Sequence, residues 1–204
     1  MAGPNYHPRR PSAAFDIVAI AASAGGVVAL GQLLGGIPAG FGATIVIVQH
    51  VDPRHQSLMP QVVGRHARLP VTHAEDGTTV KAGHAYLAPP GHHLLINRRG
   101  VVTLTDTELV NFVRPSADLL FESVAAAFGD RAIAVVLTGT GRDGAMGVSA
   151  IKQRGGTVVA QDEASSEFFG MPGSAIKTGA VDLILPLDEI ASRLVALVDG
   201  RKIT

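Results

Sequence analysis

The chain has no cysteine and no tryptophan, and its formal net charge is zero with histidine neutral. The lack of cysteine excludes disulfides and cysteine nucleophiles, and it suits a reducing compartment such as the cytoplasm. Seven phenylalanines and two tyrosines are the only aromatics. They are too few for a base-stacking platform, and a balanced charge names no polyanion, so no nucleic-acid partner is expected. No secretory leader is expected either. Residues 1–14 hold three prolines and two arginines without an apolar core, and they read as a disordered tail. Charged residues are absent from 17–48, which raises the question of a membrane span. Gly25-Gly26, Gly35-Gly36 and Pro38-Ala39-Gly40 cut that run into pieces shorter than the ~20 residues a helical crossing needs. Strands of a parallel sheet, covered on both faces, are also continuously apolar, so no membrane insertion is expected.

What is present is a strand–turn–helix rhythm over a single domain, residues 15–200. An apolar, β-branched run at 15–20 leads into Ala21-Ala22-Ser23-Ala24-Gly25-Gly26, and Val27, Leu30 and Leu34 then fall on one helical face. Gly35-Gly36 and Pro38 stop that helix, and a second strand at 44–48 ends in Gln49-His50. This is a βαβ unit, with parallel strands and a right-handed crossover. Asp52-Pro53 opens a loop and helix in which Arg54, His55, Arg65 and His66 read as solvated. Between 71 and 105 turn signals separate short extended runs, at 84–88, 94–97 and 101–105, the last two forming a hairpin. His84, His92 and His93 invite a metal, but no carboxylate or helical His-x-x-x-His spacing completes a ligand set. Ser116 caps a helix that Gly129 ends, and a strand at 132–137 runs into Thr138-Gly139-Thr140-Gly141-Arg142-Asp143-Gly144. A helix to Ile151, a strand at 157–160, a long loop holding Phe169-Gly170-Met171-Pro172, a short helix, a strand at 181–185 and an amphipathic helix at 187–198 complete the chain. The expected fold is a doubly wound three-layer α/β/α sandwich with a mainly parallel sheet and a β-hairpin extension.

Ser23, His50 and Asp143 each follow the carboxyl end of a strand, the edge of a parallel sheet where ligands bind. A serine is a weak nucleophile until a neutral imidazole takes its proton, and a carboxylate on the other ring nitrogen fixes the tautomer and stabilises the imidazolium. Each residue also has a plain structural reading, Ser23 and Asp143 as helix caps and His50 as a satisfied ring. Neither glycine-rich turn is a phosphate loop. The second lacks Gly-Lys-Ser/Thr, and Ala21 and Ser23 stand where a dinucleotide fingerprint needs glycine. The order Ser–His–Asp and the lack of a Gly-x-Ser-x-Gly elbow separate the chain from α/β-hydrolases.

At these residues the chain resembles a known family. Ala22-Ser23-Ala24-Gly25-Gly26, Val48-Gln49-His50 and Leu137-Thr138-Gly139-Thr140-Gly141-Arg142-Asp143-Gly144 are similar to the active-site motifs of bacterial chemotaxis protein-glutamate methylesterases, the CheB catalytic domain. Arg114-Pro115-Ser116-Ala117-Asp118, Gln161-Asp162-Glu163-Ala164, Phe169-Gly170-Met171-Pro172 and Gly179-Ala180-Val181-Asp182 resemble it too. The resemblance implies Ser23 as nucleophile, His50 as general base and Asp143 as its orienter. It implies hydrolysis of glutamate γ-methyl esters on the cytoplasmic helices of chemoreceptors, deamidation of receptor glutamines, and no metal or organic cofactor. Two residues depart from the family pattern: Ala24 stands where threonine is common, and Thr140 where methionine is. Only fourteen residues precede the first strand, so no receiver domain is expected before it, and a separate response-regulator partner would take over regulation. The alternatives are a non-catalytic docking module of the same fold and an esterase acting on a different protein. Arg54, Arg114 and Arg142 are candidates to meet acidic receptor helices.

Overall fold

The structure is a computed structural model that describes residues 15–50 and 58–200. The tail 1–14, with Arg54 and His55, lies outside the described residues. The chain order is β1 (Ile17–Ala22), α1 (Gly26–Gly36), β2 (Thr44–Gln49), α2 (Met59–Val63), β3 (Val71–His73), β4 (Ala85–Leu87), β5 (His93–Ile96) and β6 (Val102–Thr105). There follow α3 (Ala117–Phe128), β7 (Ala132–Val136), α4 (Ala145–Gln153), β8 (Thr157–Gln161), α5 (Gly170–Lys177), β9 (Leu183–Leu185) and α6 (Leu187–Val198). Seven strands form one sheet in the order β3-β4-β2-β1-β7-β8-β9, and every pairing in it is parallel.

The apolar run of β1 is buried along its whole length because both faces of the sheet are covered. Val18, Ile20 and Ala22 face one core with Leu30, Leu33 and Leu34 of α1 and Ile190 and Leu194 of α6. Ile17, Ala19 and Ala21 face the other, with Leu120, Phe121 and Val124 of α3 and Val148 and Ile151 of α4. The period of two along the strand therefore divides its residues between two helical layers, giving the expected doubly wound three-layer α/β/α architecture. From β1 the chain goes to β2, on to the edge strand β3 and back to β4 between β3 and β2, then returns to β7 on the other side of β1 and continues to β8 and β9. The reversal lies between β1 and β7, and the crevice at their carboxyl ends is where such sheets hold ligands.

Three local expectations change. The runs of 71–105 do not share one sheet: the run at 84–88 gives β4, which with β3 extends the main sheet beyond β2, while those at 94–97 and 101–105 form the expected hairpin, β5 and β6, as a separate two-stranded sheet packed on α3. The first strand ends at Ala22 instead of Ile20, which brings Ser23 directly against its last residue. Phe169-Gly170-Met171-Pro172, read as loop, enters α5, with Met171 and Pro172 buried in its first turn. Proline is compatible with that turn because the N–H it lacks has no intrahelical partner there.

Candidate active site

Ser23, His50 and Asp143 line one cleft of about 350 Å³ with Asn111, Phe112, Val113, Thr140, Gly141 and Arg142. The turn after β1 is fixed from both neighbouring strands. Ser23 N–H donates to the carbonyl of Thr138 at 3.0 Å, and His50 N–H donates to the carbonyl of Ala22 at 3.1 Å. Gln49 Nε2 donates to the carbonyls of Ser23 at 2.8 Å and His50 at 3.0 Å, so one buried amide spans both turns. The Thr138 hydroxyl donates to the Ala24 carbonyl at 3.0 Å and accepts from Phe168 N–H at 2.9 Å, which ties in the loop before α5. Two glycines are required by close approach. A Cβ on Gly26 would run into Gln49 Oε1 and stand 2.8 Å from Ala22 Cβ, and one on Gly139 would stand 2.9 Å from Ser23 Cβ.

Neither cap reading holds for the residue's own helix. Gly25, at φ 76°, is the N-cap of α1, and Gly144, at φ 96°, is the N-cap of α4. Asp143 instead closes the N-terminus of a different helix, α3. Its Oδ2 accepts from Ala117 N–H at 2.6 Å, and its Oδ1 accepts from Asp118 N–H at 3.2 Å and from the Ser116 hydroxyl at 2.9 Å. The fourth donor is His50, with Nε2 2.8 Å from Asp143 Oδ2. Burial opposes ionisation of Asp143 and is the largest single influence on it. The hydrogen bond from His50, those from Ala117 and Asp118 and the charge of His50 together outweigh it and hold the carboxyl below its ordinary value. The partial positive charge at the start of α3 acts in the same direction.

A second buried carboxylate supports the first. Asp118 Oδ1 accepts from Gly147 N–H at 2.8 Å and Oδ2 from Asn111 Nδ2 at 2.9 Å. Its carboxyl is pushed up, chiefly by burial and further by the Asp143 charge. His93 closes the start of α3 from below: its Nδ1 accepts from Ser116 N–H at 3.1 Å while Nε2 donates to the Glu108 carbonyl at 3.0 Å. Those bonds use both ring nitrogens of the neutral tautomer. His84 and His92 each turn Nδ1 toward a backbone carbonyl, those of Ala82 and Pro90. Arg114 is structural, its Nη1 donating to the carbonyls of Asp106 and Thr107, whereas Arg142 is exposed in the wall of the cleft.

The structure therefore brings His50 and Asp143 into direct contact. It sets Ser23 in the same cleft, with no hydrogen bond between its hydroxyl and a described residue. Sequence reasoning missed Gln49, His93, Asn111 and the contact of Ser116 with Asp143. Each acts through a partner at least seven residues away, except for Gln49's bond to its neighbour, and only the cap signature of Ser116 hinted at one of them.

The sequence model of the CheB methylesterase family matches residues 18–194. The chain belongs to this family. Over 90% of its length it superposes on 99% of the crystal structure of the Thermotoga maritima CheB methylesterase catalytic domain, with a TM-score of 0.86 and 37% identity. It is 42% identical over 196 residues to a Moorella thermoacetica protein-glutamate methylesterase/protein-glutamine glutaminase, covering 94% of this chain and 46% of that one. A Burkholderia orbicola protein of the same description is 45% identical over 182 residues, covering 89% of this chain and 54% of its own. The chain thus spans about half the length of these curated relatives of the CheB family.

Proposed function

We propose that residues 15–200 act as a serine ester hydrolase that removes methyl esters from glutamate side chains on the cytoplasmic helices of chemoreceptors. The observation that carries this reading is the 2.8 Å contact between His50 and Asp143 in the cleft that Ser23 shares, in a chain of the CheB methylesterase family. Two protein-glutamate methylesterases among its relatives, 42% and 45% identical, supply the substrate. No described helix is long and apolar enough to cross a membrane, and we assign the protein to the cytoplasm, beside the receptor helices.

In the proposed mechanism the Ser23 hydroxyl attacks the ester carbonyl. His50 Nε2–H is committed to Asp143, so Nδ1 is the nitrogen left to take the serine proton. The imidazolium is stabilised by the ionised Asp143, and such acid–base help contributes ~10²–10⁴-fold. The backbone N–H groups of Ala24 and Thr140 have no acceptor among the described residues. They are our candidates to hold the oxyanion, and as backbone donors they are indifferent to the side chains that distinguish this chain at those positions. Collapse of the tetrahedral intermediate transfers the imidazolium proton to the departing methoxide, releasing methanol and leaving the glutamyl ester of Ser23. Water, deprotonated by the same nitrogen, attacks that ester, and the imidazolium returns the proton to the departing Ser23 oxygen, freeing glutamate. An amide substrate would follow the same steps with ammonia leaving, which is the glutaminase half of the relatives' description.

The second reading, a docking module without turnover, draws on one observation: the Ser23 hydroxyl makes no hydrogen bond to His50. Such bonds commonly tighten only when substrate binds. A serine-reactive fluorophosphonate distinguishes the two. The hydrolase gains one adduct on Ser23, and the adduct is lost in His50→Ala. A folded protein that stays unlabelled would support the docking module.

A further inference from the structure

A turn in the lining of the cleft that holds Ser23 is built against local preference. Val110 and Val113 exchange backbone hydrogen bonds at 3.1 and 3.0 Å, so Asn111 and Phe112 are the two central residues of a tight hairpin. Both have positive φ, 51° and 66°. A two-residue turn with both central residues left-handed favours Asn-Gly, because a side chain at the second position clashes with its own backbone. Here phenylalanine occupies the glycine position. Its side chain recovers nothing by packing, since Phe112 is 95% exposed. The turn is nonetheless held firmly. Asn111 Nδ2 donates to buried Asp118, which also accepts from Gly147 N–H, so the turn is fastened to the network that carries Asp143.

Phe112 lines the cleft with Ser23, His50 and Asp143. On the same loop Leu109 is 57% exposed, and Met146, next to Gly147, is 70% exposed. Arg142 shares the cleft and makes no ion pair with a described residue. An exposed apolar ring on a firmly held turn, in a cleft that also carries an arginine with no ion pair to a described residue, matches an acidic, amphipathic helix. Its apolar residue would pack on the ring while the ester-bearing side chain reaches Ser23. We infer that Phe112 is the docking anchor for the helix of the protein substrate and sets the preference for a helical ester over a small free one. This inference rests on the esterase reading above.

The test compares two substrates, the methylated cytoplasmic fragment of a chemoreceptor and p-nitrophenyl acetate, in wild type, Phe112→Gly, Phe112→Leu and the remote control Ile184→Ser. Phe112→Gly raises KM for the fragment about tenfold, the size of a binding hot spot, and lowers the fragment-to-acetate ratio of kcat/KM accordingly. Phe112→Leu recovers most of the ratio, and Ile184→Ser leaves both rates unchanged. Because glycine suits the turn, Phe112→Gly also raises Tm by about 2–4 °C. A ratio within twofold of wild type in Phe112→Gly overturns the anchor while the esterase reading stands. A fall in Tm makes Phe112 a structural residue and overturns it as well. A wild type that hydrolyses the acetate but releases no methanol from the fragment overturns the receptor assignment and the anchor together.

Discussion

Asp143 is the residue on which the site turns. One carboxylate receives four donors, from His50, Ser116, Ala117 and Asp118. Asn in its place would present an amide N–H₂ toward those donors and leave some of them buried and unpaired, at about 1–3 kcal/mol each. We expect Asp143→Asn to lower kcat about 10³–10⁴-fold, measured by single-turnover ester hydrolysis, because the ring loses its fixed tautomer. The pH dependence of stability follows in sign. The folded carboxyl lies below its ordinary value, so its stabilisation is full above the unfolded carboxylate range near pH 4 and is lost as pH falls through the folded value. Urea unfolding of wild type and Asp143→Asn should therefore show a gap at pH 7 that narrows at pH 3, and a constant gap would contradict this assignment. Gly26 gives an independent check. Alanine in an exposed helix is worth about 1 kcal/mol over glycine. In Gly26→Ala the methyl would instead displace the Gln49 amide that holds the Ser23 and His50 carbonyls, so thermal melts should show a loss of stability. That Ser23, His50 and Asp143 share one cleft was legible because each follows an apolar strand of a parallel sheet. For Arg114 the sequence left a structural role and a receptor contact both open, because a loop arginine looks alike whether it faces solvent or, as here, two carbonyls of its own loop.

Among the elements, α3 does the most for the site. Its first turn presents N–H groups to Asp143 from outside the sheet, and Ser116 serves both ends: its oxygen accepts from Leu119 N–H while its hydroxyl donates to Asp143. Ser116→Ala removes both and should cost about 1–2 kcal/mol in urea unfolding, with kcat falling more than KM rises. Behind that turn, Phe121 is fully buried, and its ring and Cβ lie against the backbone of Gly144 and Gly147. Truncation to alanine should cost about 3–5 kcal/mol and loosen the loop that carries Asp143. The Ser116 cap and the Gly129 stop of this helix were readable, since both signals are local. The hairpin of β5 and β6 was readable as well, but the pairing of β4 with β2 was not. Short strands joined by turn signals read alike whether they pair with β2 or with each other, and only long-range register separates β4 from the hairpin. The short helix α5 was expected, but its start was placed too late, because its first turn carries glycine and proline, the residues that usually mark a loop.

At the scale of the whole molecule, the sheet order explains why residues 23, 50 and 143 share one cleft. Winding outward from β1 and returning beside it puts the carboxyl ends of β2, β1 and β7 side by side, and the turns after them supply one group each. The apolar run from 17 to 48 with its glycine punctuation made this architecture readable in advance. Where the cleft's outer wall would stand was not readable, because it depends on how the hairpin turn at Asn111 and Phe112 is fastened to α3 and α4. The central claim is that this cleft hydrolyses glutamate methyl esters through Ser23. Timed methanol release from methylated chemoreceptor membranes, wild type against Ser23→Ala, tests it most directly. The account predicts steady release by the wild type and none above background from folded Ser23→Ala; equal release by both proteins, or none by either, would contradict it.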